Sequence, residues 1–355
     1  MPFHRAARTI AGLATVSIWL CGCHAGRPRT PQGPRAAFAN VNGVRLQYLD
    51  YGGTGDGLVF IHGLGDSPHA WDDIAPSFTS RFHVIAYARR GHGRSDAHGP
   101  WDHVTLSEDL HLLLDTLHIQ RAVVVGWSLG GYEITEFAAA YPERTLGLIC
   151  LECYDLALPG FRHLIETSPP SADPTAADLA GTAAFRAWFK RTSAPMDAFT
   201  PAMEAEIADV SVRRADGSLR LVTDDSISAA LIGMATSFHP PYAAVKAPML
   251  AVFGRWYARG MTPPGSPDSV RVRADQFLIG AARPFQDSMI AELRTKAPAA
   301  RIVILDSATH ATFPWSKRDT IVALMKQFLW RSPWAARTFV GPDQNIRKGP
   351  SGVAR

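Results

Sequence analysis

The sequence predicts an α/β fold built on a mostly parallel sheet with helices on both faces. Short continuous apolar runs recur along the chain, and segments with helical spacing separate most of them. Size agrees with this. At 355 residues and 46% hydrophobic content, the chain is long enough for one large α/β domain with an insertion.

Taken in order, residues 36–41 and 44–51 alternate apolar with polar positions and meet at Asn42-Gly43, the pattern of an antiparallel hairpin. Buried-strand runs follow at 58–61, 83–87, 122–125, 146–151, 248–253 and 301–305. The clearest helix is expected from Thr105. There Thr105-x-x-Glu108 has capping-box spacing, and Leu106, Leu110, Leu113, Leu114 and Leu117 share one face. Between residues 154 and 242 the alternation stops and no strand run is recognisable. Apolar residues recur instead at helical spacing, as in Phe185, Trp188 and Phe189, or Ile227, Leu231, Met234 and Phe238, which is the ordinary signature of helix packing.

The formal net charge is +4, but its distribution is uneven. Ten of the 36 Lys and Arg residues, and only one of the 32 acids, lie before residue 36 or after residue 330, so the body between them carries about −5. That argues against a nucleic-acid groove, which needs basic residues clustered on one face. Residues 1–23 read as a targeting segment: His4, Arg5 and Arg8 come first, then an apolar stretch at 10–20, then small residues. The segment is short for a bilayer span. Its end, Leu20-Cys21-Gly22-Cys23, resembles a bacterial lipoprotein processing site, with Cys23 as the lipidated residue; an ordinary cleaved secretory signal is the alternative. Both readings export the protein, to a lipid-anchored place in the cell envelope or to a secreted or periplasmic one. Residues 24–35 then form a Pro- and Arg-rich tether, and residues 332–355 a flexible tail. The remaining cysteines, Cys150 and Cys153, would sit about 10 Å apart on one extended strand, beyond the roughly 7 Å a disulfide spans. They read as small buried hydrophobes.

The chemistry is concentrated in Gly126-Trp127-Ser128-Leu129-Gly130, which lies between an apolar run and a helix-like segment at 132–141. A turn tight enough to lift a serine oxygen above a sheet edge needs glycines beside it, so Ser128 is the candidate nucleophile. Upstream, His62-Gly63-Leu64-Gly65 follows a strand run; downstream, Asp306-Ser307-Ala308-Thr309-His310 follows another. His310 is the candidate base, because a loop at a strand's carboxyl end is where open α/β sheets keep their ligands. In this order the chain resembles the α/β-hydrolase superfamily over residues 36–330. The resemblance includes Ala88-Arg89-Arg90-Gly91-His92-Gly93-Arg94-Ser95, which is similar to the loop after that family's fourth strand.

The resemblance implies an α/β-hydrolase core at 36–154 and 243–331, and a helical cap at 155–242 inserted after the sixth strand, with some of its aromatics lining the substrate pocket. It also implies an oxyanion hole formed by the backbone N–H groups of Leu64 and Leu129, with His62 and His92 bracing loops. Family members most often carry the triad acid after the next-to-last strand, but Gly254-Arg255-Trp256-Tyr257 has no carboxylate. A minority, among the haloalkane dehalogenases, carry it at the end of the sixth strand, where this chain has Glu152; Asp155 and Asp268 are the fallbacks, and Asp275 lies in the same distant Pro-rich stretch as Asp268. A serine nucleophile, with Leu64 and Leu129 where dehalogenases bind halide, speaks against dehalogenase and epoxide hydrolase chemistry. Hydrolysis of a carboxylic ester of a small or medium apolar substrate is the leading expectation, with no cofactor and no metal. Carbon–carbon bond hydrolysis, perhydrolysis and a weakly catalytic small-molecule receptor are the alternatives. Oligomeric state is not legible.

Overall fold

The computed structural model describes residues 33–168, 173–192, 199–257, 261–262 and 265–332. The strands are β1 (Arg35–Val41), β2 (Val44–Gly52), β3 (Gly57–Ile61), β4 (His83–Tyr87), β5 (Ala122–Trp127), β6 (Thr145–Leu151), β7 (Ser211–Arg213), β8 (Leu219–Leu221), β9 (Met249–Gly254) and β10 (Arg301–Leu305). The helices are α1 (His103–Thr116), α2 (Gly130–Ala140), α3 (Phe161–Thr167), α4 (Thr182–Thr192), α5 (Pro201–Val210), α6 (Asp225–Ser237), α7 (Asp268–Phe277), α8 (Arg283–Lys296), α9 (Phe313–Ser316) and α10 (Arg318–Arg331).

Eight strands form one sheet in the order β1-β2-β4-β3-β5-β6-β9-β10. β2 runs antiparallel to β1 and β4, and the other pairs are parallel. Alternation within the central strands divides the core. Val59 and Ile61 of β3 and Ala122 and Val124 of β5 pack with Leu110 and Leu113 of α1, Phe137 of α2 and Phe285 of α8. Leu58 and Phe60, with Val123 and Val125, face the other way onto Trp71, Phe78 and the α10 residues Ile321, Met325 and Phe328. Both faces are therefore dry, which is why these strands read as continuous apolar runs rather than alternating ones. After β3 the chain steps to β4 on one side, whereas after β5 it steps to β6 on the other. That reversal opens a crevice at the carboxyl ends of β3 and β5.

Two expectations need correction. First, α1 starts at His103 rather than at Thr105, with Asp102 as its N-cap: the Asp102 carboxylate accepts from the Thr105 N–H at 2.8 Å and from Thr105 Oγ1 at 2.9 Å. Aspartate caps at least as well as threonine, so Thr105 falls inside the first turn. Glu108 does not turn back to a cap but accepts from the Tyr141 hydroxyl. Second, residues 155–242 are not purely helical, because β7 and β8 pair as a hairpin around Asp216 and Gly217. Strands of three residues are too short to display a period. The aromatic stripe Phe185, Trp188 and Phe189 packs, as its helical spacing implies, against Met203, Ile207 and Leu219, away from the cavity described below. Cys150 and Cys153 are buried and free. Residues 1–32, including the targeting segment, Cys23 and most of the tether, and the tail at 333–355 lie outside the described residues. Among the described residues, no helix is long and apolar enough to cross a membrane.

Candidate active site

Ser128 sits between the last residue of β5 and the first turn of α2, with φ at +54°, a left-handed backbone that side chains other than glycine rarely adopt. The neighbouring glycines make the turn possible. A Cβ on Gly126 would lie 2.6 Å from the Gly130 oxygen, and one on Gly130 would lie 2.8 Å from the Ile61 oxygen. The turn is held by the Ser128 N–H donating to Leu151 O at 3.1 Å.

Ser128 Oγ lies 2.8 Å from His310 Nε2, and His310 Nδ1 lies 3.1 Å from Glu152 Oε2. A neutral ring with its proton on Nδ1 donates to Glu152 and leaves Nε2 to accept the serine proton. The imidazole is set among the rings of Trp127, Tyr154 and Trp256. Glu152 directly follows β6, again at positive φ (+52°), and is fully buried. A buried carboxylate is costly unless its oxygens are satisfied. Here Oε1 accepts from the Tyr154 hydroxyl at 3.0 Å and from the Gly254 N–H, and Oε2 accepts from Trp256 Nε1 at 3.0 Å as well as from His310. Burial, followed by the Glu152 charge, pushes the Tyr154 phenol well above its ordinary value and keeps it a neutral donor.

The loop after β3 is braced from below. His62 Nδ1 lies 2.7 Å from Gly63 O, and His62 Nε2 accepts from the Arg89 N–H at 3.2 Å. Arg89 donates to His62 O at 2.7 Å, to Gly63 O at 3.1 Å and to Glu133 Oε2 at 3.1 Å. Burial, reinforced by the Arg89 charge, holds His62 well below the usual imidazole range. The ring is thus neutral, as one donating and one accepting nitrogen require. In a trans peptide C=O and N–H point in opposite directions, so anchoring Gly63 O below turns the Leu64 N–H away from Arg89. Neither the Leu64 nor the Leu129 N–H donates to an acceptor among the described residues, and both residues line the cavity above Ser128. His92 is buried against His62, its imidazole pushed down to about 3 by burial and by Arg89.

That cavity is about 460 Å³ and mostly apolar. Its walls include Tyr132, Leu156, Phe161, Leu164, Ile232 and Phe285, so residues 155–242 contribute to it, with Phe161 as their aromatic side chain there. The remaining rings, Trp127, Tyr132, Tyr154, Trp256, Phe277 and Phe285, come from outside that segment.

The structure therefore brings together Ser128, His310 and Glu152 and leaves the fallback acids elsewhere. Asp155 is buried with its oxygens committed to the Ala157 N–H at 3.0 Å and to His239 Nδ1 at 2.7 Å. Asp268 is exposed and paired with Arg271, and Asp275 is exposed on α7. Sequence reasoning did not find the supporting donors Tyr154 and Trp256, nor Arg89 as the brace of the β3 loop. Arg89 does carry a signal, since a charged residue directly after a buried strand run needs partners.

Comparison with known proteins agrees with the fold. Residues 57–222 match the family model described as the alpha/beta hydrolase fold. An uncharacterised protein of Mycobacterium tuberculosis is 33% identical over 117 residues, covering 33% of this chain and 34% of that protein. The pimeloyl-[acyl-carrier protein] methyl ester esterase of Edwardsiella ictaluri is 34% identical over 110 residues, covering 30% and 41% respectively. The chain thus spans well under half the length of these curated relatives. Among solved structures, E-2-(acetamidomethylene)succinate hydrolase superposes with a TM-score of 0.63 over 83% of this chain and 99% of that one; at 18% identity the likeness is one of fold.

Proposed function

The chain belongs to the α/β-hydrolase superfamily, and from that premise we propose that it is a serine hydrolase cleaving a carboxylic ester of a small or medium apolar substrate through an acyl-enzyme intermediate. The observation that carries this reading is the unbroken hydrogen-bond chain from Ser128 through His310 to Glu152 beside an apolar cavity. In the proposed reaction Ser128 Oγ attacks the ester carbonyl carbon while His310 Nε2 takes its proton, and Glu152 stabilises the imidazolium that forms. The N–H groups of Leu64 and Leu129 receive the developing oxyanion. His310 then protonates the departing alcohol and activates the water that releases the acid. Residues 155–242 act as the cap, and their apolar contribution to the walls supports an apolar acyl or alcohol group. A serine in place of an aspartate nucleophile supports ester cleavage over dehalogenation or epoxide opening.

Turnover of p-nitrophenyl butyrate tests this. The expected result is a burst of one nitrophenolate per protein molecule followed by steady hydrolysis, both lost in Ser128→Ala; no burst and no turnover would contradict the reading. For cellular placement, the proposal is export through residues 1–23 and lipidation of Cys23 at a bacterial envelope. Incorporation of labelled palmitate that disappears in Cys23→Ser is the expected outcome, and release of unlabelled protein is the contrary one.

A further inference from the structure

Asp66 lines the cavity beside the site. A Cβ placed on Gly63 would sit 2.6 Å from Asp66 Oδ2 and 3.4 Å from Ser128 Cβ. The carboxyl oxygen is thus no more than about 6 Å from the serine carbon. Among the described residues lining the cavity, Asp66 carries the one carboxyl group, the Tyr132 and Tyr154 phenols are pushed upward by burial, and no lysine or arginine is present. Asp66 holds no hydrogen bond among the described residues, whereas the acids around it are engaged. Glu206 of α5 accepts from the Ser67 N–H at 2.8 Å and from Ser67 Oγ at 2.6 Å. Arg89, the cation that faces Asp66 electrostatically, is fully buried and committed to Glu133 and two carbonyls.

Resting on the hydrolase reading, we propose that Asp66 determines charge specificity: the site turns away esters whose acyl chain carries a carboxylate and accepts neutral or cationic ones. The reason is local. An anionic substituent entering this cavity meets a carboxyl group a few ångströms from the reacting centre and finds no cation to pair with, while an ammonium group finds an acceptor with free lone pairs. At separations near 6 Å and partial burial, the charge interaction corresponds to a discrimination on the order of 10- to 100-fold. Burial raises the Asp66 carboxyl to about 7, with Arg89 opposing the rise, so the effect belongs above neutrality.

The test compares methyl heptanoate, monomethyl adipate and methyl 6-aminohexanoate at pH 8 by pH-stat, in the full chain and in Asp66→Asn. The expected result is a wild-type kcat/KM ratio of adipate to heptanoate below about 0.1 that rises at least tenfold in Asp66→Asn, while the ratio of aminohexanoate to heptanoate falls. A second variant, Ile232→Lys, brings a cation to the cavity wall and raises adipate turnover. Ratios unchanged within twofold in Asp66→Asn would overturn the proposal. If methyl heptanoate itself is not hydrolysed, the ester reading fails separately. Calorimetric binding of heptanamide, adipamic acid and 6-aminohexanamide to Ser128→Ala then decides the charge claim, with adipamic acid expected to bind weakest; equal affinities would overturn it.

Discussion

Glu152 carries the electrostatics of the site, because a fully buried carboxylate here is matched to four donors, one of them the His310 ring. Glu152→Gln keeps the shape but removes the charge that would stabilise an imidazolium, and kcat is expected to fall on the order of 10³- to 10⁴-fold. Trp256→Phe, which takes away one charge-assisted donor, is expected to cost about tenfold in kcat. A steady-state assay that found Glu152→Gln within tenfold of wild type would remove the residue from the mechanism. Asp66 makes a separate, pH-dependent prediction. Its folded value of about 7 lies above the usual carboxylate value near 4, so the native state holds this proton more tightly. Its contribution to stability is full below about pH 4 and is lost as pH rises through about 7. Burial shifts Glu133 and Glu206 in the same direction. The urea midpoint is therefore expected to fall from pH 5 to pH 8, and Asp66→Asn to shrink that fall; an identical fall in the variant would contradict the assignment. Ser128 and Glu152 were legible because each ends an apolar run with a residue the run does not call for. Tyr154 and Trp256 were not, since an aromatic that donates one hydrogen bond looks the same in sequence as one that merely packs.

Local competition decided the elements. The start of α1 went to Asp102 because two side chains three residues apart were both competent caps, and spacing alone does not rank them. Asp102→Ala is expected to cost about 1 kcal/mol in urea unfolding; a loss confined to Thr105→Ala would return the cap to Thr105. The β7–β8 hairpin escaped sequence reading because six strand residues hold too little pattern to stand out between helices. The long-range attachment of α5 was equally hidden. Glu206 and Asp209 look like surface acids of an amphipathic helix, yet Glu206 binds the Ser67 N–H and hydroxyl, and Asp209 accepts from Gln47 Nε2 at 2.6 Å and Arg94 Nε at 2.6 Å. Removing the Glu206 carboxylate leaves a buried donor pair unsatisfied, so Glu206→Ala is expected to lower stability by about 1–3 kcal/mol.

For the molecule as a whole, the strand runs and their order carried most of the fold, because a sheet buried on both faces leaves little choice of residue along its central strands. Phe60, fully buried between Trp71 and Phe78, is a fair gauge of that core: Phe60→Ala is expected to cost about 3–5 kcal/mol. The crevice where the strand order reverses is the place at which the serine turn, the braced β3 loop and the histidine loop meet. The claim that this crevice houses an activated serine is tested most directly by labelling the purified protein with a fluorophosphonate and mapping the modified peptide. A single adduct on Ser128 is expected, absent in Ser128→Ala and strongly slowed in Glu152→Gln. Failure of the intact protein to label, or labelling that survives Ser128→Ala, would contradict it.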